Sequence, residues 1–128
     1  MKIIGIGLDM VRIDRVRVAS ERWKDRFLER VFTETERRYC FERASPYASL
    51  AARFAVKEAV LKALGTGWSQ GIRWVDIEIH NDSSGRPLAA VGGRARQLLH
   101  ERGATGVHIS LSHDGEYAVG EALLTAES

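Results

Sequence analysis

The period of hydrophobic and polar positions changes along the chain, and those changes mark its elements. Residues 3–11 are dense in branched apolar side chains and read as a strand, with Asp9 near its end. Asp14 is placed to cap a following helix. Through residues 12–30, Val16, Trp23, Phe27 and Val31 keep helical spacing. Thr33 with Glu36 fits a capping box and predicts a helix to about Arg43. Ser45-Pro46 opens a longer helix, and Gly65 ends it. Residues 74–80 alternate, with Val75, Ile77 and Ile79 on one side and Asp76, Glu78 and His80 on the other, as a half-buried strand does. A polar cluster from Asn81 to Pro87 predicts a turn, and residues 88–91 return as a short strand. Residues 94–102 read as a helix stopped by Gly103. Residues 107–111 alternate again, Asp114-Gly115 marks a hairpin turn, and residues 117–124 form its partner strand. Helices gather early and strands late. The expectation is an α+β fold, a single domain over residues 1–128, with a largely antiparallel sheet packed against a long central helix and shorter helices.

One position breaks this pattern. The long helix carries an apolar stripe through Leu50, Phe54, Leu61 and Leu64, and the slot that should complete it holds Lys57. A charge in a core-facing slot is unfavourable unless it is paired or reaches water. Glu58 follows it, and Lys62 lies one turn beyond Glu58.

Composition narrows the class. The 128 residues are 45% hydrophobic and 28% charged, ordinary values for a soluble globular domain with a modest core. There is no apolar run near the roughly 20 residues a membrane span needs, nor a signal-peptide pattern at the start. Cys40 is the only cysteine, so no intrachain disulfide forms, which favours a reducing, cytoplasmic setting. Three tryptophans hint at apolar surface to cover in an oligomer. The net charge of +2 is far from that of a dedicated nucleic-acid binder. The distribution says more: in a continuous helix, Arg15, Arg22, Arg26 and Arg30 share one line. This is either a solvated face or a docking strip for an acidic partner.

Asp9 and Glu58 are the leading candidates for chemistry. Two carboxylates from distant segments repel if brought together, and a hard cation relieves them. Mg²⁺ takes one or two carboxylates together with waters and phosphate oxygens. Taken alone, a capping Asp9 and a surface-paired Glu58 match the residues more simply. Arg53, Lys57 and Lys62 add weight, because three cations around one anion suit a phosphate-rich ligand. Lys62 also makes an ordinary i,i+4 pair with Glu58. Gly65-Thr66-Gly67 is either a helix stop or a backbone that a phosphate can approach closely. Ser112-His113-Asp114 is no catalytic triad, since adjacent residues of an extended chain point apart. His80, His100 and His108 lack metal-ligand spacing.

Three segments together resemble the holo-acyl-carrier-protein synthase family of 4′-phosphopantetheinyl transferases: Gly5-Ile6-Gly7-Leu8-Asp9; Arg53-Phe54-Ala55-Val56-Lys57-Glu58-Ala59 through Lys62-Ala63-Leu64-Gly65-Thr66-Gly67; and Ile109-Ser110-Leu111-Ser112-His113-Asp114 with Tyr117-Ala118. Gly85-x-Pro87 fits as well. Val56 and Gly120 depart slightly, each standing where alanine is usual. The resemblance implies transfer of phosphopantetheine from coenzyme A to a serine of apo acyl carrier protein, in fatty acid biosynthesis, releasing adenosine 3′,5′-bisphosphate. It further implies Mg²⁺ on Asp9 and Glu58, and a homotrimer with active sites between subunits. Asp9, Glu58 and Lys62 would then be catalytic. Arg53, Lys57, Lys62, Gly65, Thr66, Gly67, Pro87, Ser112 and His113 would bind coenzyme A, with Lys57 either bracing the carboxylates or reaching a phosphate. Arg15, Arg22, Arg26 and Arg30 would dock the acidic carrier. A Mg²⁺-dependent pyrophosphatase would use the same charges, with water as nucleophile. A non-enzymatic module that binds coenzyme A or a carrier has no need of the two carboxylates.

Overall fold

The computed structural model describes residues 1–127. Strand β1 (Lys2–Arg12) leads into helices α1 (Ile13–Trp23), α2 (Asp25–Val31), α3 (Glu34–Phe41) and α4 (Pro46–Leu64). A 3₁₀ turn (Trp74–Asp76) precedes β2 (Ile77–Asn81) and β3 (Pro87–Val91). Helix α5 (Gly93–Glu101), β4 (Gly106–Asp114) and β5 (Tyr117–Ala126) complete the chain. The strands form an antiparallel sheet of order β1-β5-β4 and a separate β2-β3 hairpin. No helix among the described residues is long and apolar enough to cross a membrane.

Helix α4 is buried on nearly every side, and its sequence shows why. Ala48, Ala51, Ala52, Ala55, Ala59 and Ala63 keep it thin, so the sheet approaches its backbone. The strands answer with glycine. A Cβ on Gly7 would lie 1.9 Å from the Ala59 carbonyl oxygen, one on Gly5 2.1 Å from that of Ala63, and one on Gly120 2.3 Å from the Val56 nitrogen. The core divides around α4: Val56, Val60, Leu64, Ile77, Ile79 and Leu98 pack on one side. Val11, Val16, Phe32, Leu50 and Ala118 pack on the other.

On the opposite face of the three-stranded sheet, the β1 edge is apolar and open. Ile6, Leu8 and Met10 of β1 are 66%, 59% and 63% exposed. The register sets them beside Leu123, Glu121 and Val119 of β5.

Several expectations need correction. Residues 12–30 are two helices, because Lys24 adopts φ 49° and bends the chain, so the four arginines do not share one straight line. Trp23 is half-exposed instead of packed. Asp14 is not a cap. Strand β1 pairs out to Arg12, and the Ile13 amide donates to the Glu116 carbonyl (2.9 Å), so the helix starts at once and Asp14 pairs with Arg17 in its first turn. The strand expected over residues 74–80 begins only at Ile77. Before it, Asp76 accepts from the Arg73 amide (3.0 Å) and Trp74 stacks on Trp68, which fixes a turn. Thr33 and Glu36 do form the capping box, although the helix ends at Phe41. Gly65 does stop α4, at φ 79°.

Candidate active site

Alternation along β1 puts Gly5, Gly7, Asp9 and Val11 on the face that meets α4. The glycines bring the strand into contact, and Asp9 is the next residue on that face. Lys62 Nζ of α4 donates to Asp9 Oδ1 (2.9 Å) and to the Leu8 carbonyl (3.0 Å). Glu58 stands one turn earlier on the same flank and has no hydrogen-bond partner among the described residues. Burial pushes its carboxyl pKa up, and the negative charge of Asp9 adds to that shift. Lys62 and Arg15 oppose it. The hydrogen bond and charge of Asp9 in turn hold Lys62 above the ordinary lysine value. Two carboxylates 49 positions apart thus feel one another's charge, with Lys62 and Arg15 as the opposing cations.

No cluster of three or more His, Cys, Asp or Glu side chains exists among the described residues to cage a metal. Two carboxylates are what Mg²⁺ takes when a phosphorylated ligand and water fill the rest of its shell, so the donor set fits that ion. It does not fit a structural zinc site.

A pocket of about 320 Å³ opens on the other flank of α4. Arg53 forms its wall, only 3% exposed. Its Nη1 donates to Ser49 Oγ (2.9 Å) and its Nη2 to Asn81 Oδ1 (2.9 Å), while its buried Nε has no partner. The Arg43 and Arg53 guanidiniums both lie over the Tyr39 ring, each 4.4 Å from its centre. His113 closes the pocket from the end of β4. The register places His113 level with Ala118 and Val11 on the inner sheet face.

The carboxylate pair and this pocket are separated by the helix itself. The residues of α4 that serve them, Arg53 and Glu58, point about 140° apart at 100° per residue. Asp9 lies on the β1 edge of the sheet and His113 on the β4 edge, with β5 between them and α4 seated on Gly120 of β5.

The remaining sites divide as follows. Lys57 is fully buried, and its ammonium donates to Glu36 Oε1 (2.8 Å) and to the Ile77 (2.6 Å) and Trp74 (3.1 Å) carbonyls. With three donors used and no exposed surface, it neither reaches a phosphate nor braces Asp9 and Glu58, so that expectation is corrected. Ser112 lies level with Val119 on the outer sheet face, away from the His113 pocket. Pro87 pairs with Asn81 across the β2-β3 hairpin, one strand from Arg53. Gly65, Thr66 and Gly67 follow the end of α4, one turn past Lys62, and a Cβ on either glycine would meet open space. Tyr39, Arg43 and Asn81 were not expected at a site. Tyr39 and Arg43 sit four apart on the α3 side, a spacing that marks a shared face only once the partner element is known.

The chain is similar to known proteins over nearly its whole length. Residues 5–122 match the model of the 4′-phosphopantetheinyl transferase superfamily. A holo-[acyl-carrier-protein] synthase from Desulforudis audaxviator is 50% identical over 98% of this chain and 95% of the relative. One from Trichlorobacter lovleyi is 46% identical over 97% and 98%. Among solved structures, the Helicobacter pylori holo-[acyl-carrier-protein] synthase in complex with coenzyme A superposes with a TM-score of 0.82 at 29% identity, covering 94% of this chain and 99% of that one. The Bacillus anthracis synthase, in complex with CoA (3′,5′-ADP), gives 0.78 at 33% identity, covering 99% and 100%.

Proposed function

We propose a function for this chain, which belongs to the 4′-phosphopantetheinyl transferase superfamily: it moves the phosphopantetheine arm of coenzyme A onto a serine of apo acyl carrier protein. The serine oxygen attacks the phosphorus that bears the pantetheine arm. The diphosphate bond on the far side breaks, and adenosine 3′,5′-bisphosphate leaves. The observation that carries this reading is the convergence of Asp9 and Glu58 beside Lys62.

Phosphoryl transfer is mostly positioning and charge neutralisation. Asp9 and Glu58 would hold Mg²⁺, which supplies compensation for the charge of the diphosphate and its leaving group. Lys62, half exposed on a long stem, has the reach to turn from Asp9 to a phosphate oxygen. The open backbone of Gly65–Gly67 leaves room for the diphosphate to approach. The Arg53 pocket suits the nucleotide end of coenzyme A: Arg43 and Arg53 supply charge for its 3′-phosphate and His113 a ring nitrogen to hydrogen-bond it, with Pro87 on the hairpin beside it.

A helix and a strand stand between the two acids and the Arg53 pocket of one subunit, so a single coenzyme A is served best by the Asp9 half of one copy and the Arg53 half of the next. The exposed Ile6-Leu8-Met10 face supports that assembly, a homotrimer, because apolar patches of this kind mark interfaces. The buried, free Cys40 is in keeping with work in the cytoplasm, within fatty acid biosynthesis.

The carrier would dock on α1 and α2. Trp23, Arg26, Phe27 and Arg30 line an open groove of about 560 Å³. Arg15, Arg22, Arg26 and Arg30 form no salt bridge with any described residue. Arg15 lies within electrostatic reach of Glu58, so Arg26→Glu is the cleaner probe. It should raise the carrier KM about tenfold and flatten its salt dependence, with the coenzyme A KM unchanged. An equal rise in both would remove the docking surface.

Intact-mass spectrometry of apo carrier protein with coenzyme A and Mg²⁺ tests the activity. The carrier should gain one phosphopantetheine group. Consumption of coenzyme A at the same rate with no carrier present would identify a hydrolase instead.

A further inference from the structure

The lysine that interrupts the apolar stripe of α4 is not in the reacting pocket, yet it lies on one line with the nucleotide pocket. Ser49, Arg53 and Lys57 are spaced by four and share one face of α4. Glu36 and Cys40 share the facing side of α3. Between the helices runs a buried polar seam. At its deep end is the Lys57–Glu36 pair, both side chains wholly buried. Next, Ser49 Oγ donates to Cys40 Sγ (3.2 Å) and accepts from Arg53. At the mouth, Arg53 meets Tyr39 and Asn81.

The deep pair also grips β2. Lys57 donates to the Ile77 carbonyl, and Glu36 Oε2 accepts from the Ile79 amide (2.8 Å). Glu36 Oε1 additionally accepts from the Thr33 amide (2.9 Å), at the start of α3. Ile77, Ile79 and Asn81 alternate onto one side of β2, so the strand is pinned twice by the ion pair and a third time by Arg53. The elements that build the pocket are therefore locked in register by one fully satisfied buried pair. Such pairs add little net stability against apolar replacements, and their attested use is to fix register.

We propose that Lys57 and Glu36 are positioning residues for the nucleotide pocket: they hold α3, α4 and β2 in the one register that aligns Arg53 with Asn81 and Tyr39. This rests on the reading of that pocket as the seat of the 3′-phosphate of coenzyme A.

The test compares kcat/KM for coenzyme A and for 3′-dephospho-coenzyme A, with saturating apo carrier. The variants are Arg53→Met and the double variant Lys57→Met/Glu36→Gln, which leaves no lone buried charge. Arg53→Met should cut the preference for coenzyme A about tenfold, the worth of a lost charged hydrogen bond. The double variant should lose a similar factor through the KM of coenzyme A, with kcat and the dephospho-substrate unchanged. If both substrates suffer equally, the pair is only scaffold and the proposal falls. If the double variant keeps the preference while Arg53→Met loses it, the positioning role alone falls. If Arg53→Met keeps it, the pocket reading and the proposal fall together. Should the double variant fail to fold, Lys57→Arg takes its place. It keeps the charge, but its larger planar fork aims its donors differently from an ammonium surrounded by three oxygens, so the preference should still drop, and its retention overturns the proposal.

Discussion

At the scale of residues, the proposed site depends on two acids and on the company each keeps. Asp9→Asn and Glu58→Gln keep shape and remove charge. Each should leave the melting temperature within a few degrees and cut Mg²⁺-dependent transfer about a hundredfold or more, measured by carrier mass shift. Near-normal rates would take that residue out of the proposed metal site. Cys40 offers a contrast. It is wholly buried and burial pushes its thiol pKa up, so the folded protein should resist iodoacetamide at mildly alkaline pH and react only in denaturant. Lys57 shows where reading residues stops. Its misfit with the apolar stripe is plain in the sequence, but its partner Glu36 is disguised as an ordinary capping-box glutamate. That carboxylate does both jobs, accepting from Thr33 and from Lys57, and only the folded arrangement reveals the second.

At the scale of elements, periodicity located the strands and helices well where a local rule decides them. The Thr33–Glu36 box, the Gly65 stop, and the hairpin with Gly115 at φ 58° are each fixed by neighbours in sequence. Misreadings arose where distant contacts decide. Asp14 lost its cap because β5 carries β1 out to Arg12. Residues 74–76 are the exception, a turn fixed by the nearby Asp76–Arg73 bond and Trp74–Trp68 stack that alternation alone does not show. The same holds at the site: Asp9 and Glu58 stand out as charges, whereas Arg43, Tyr39 and Asn81 come together only through tertiary packing. The contact between β1 and α4 invites a direct trial. Gly7→Ala drives a methyl into the Ala59 carbonyl, with rigid backbone on both sides, and should cost about 1–3 kcal/mol in urea unfolding. Because the same shift moves Asp9 off the helix flank, transfer should fall further than stability accounts for. Thr33→Ala removes one half of the capping box and should cost about 1 kcal/mol with transfer kinetics unchanged.

At the scale of the whole molecule, one charged substitution should separate folding from assembly. Leu8→Glu sets a carboxylate beside Glu121 on the outer sheet face, where exposure spares the monomer's core. Sedimentation should then show a folded monomer, and transfer should be lost with it. Full activity in that monomer would mean that one subunit carries a complete site. The placement of Asp9 and Arg53 on opposite flanks of α4 has a genetic consequence too. Two defective chains, one Asp9→Asn and one Arg53→Met, should rescue each other when co-expressed, because in the proposed trimer every mixed ring regains one junction with both halves intact. Random mixing in equal amounts restores about a quarter of the wild-type junctions, and complementation assays can count them.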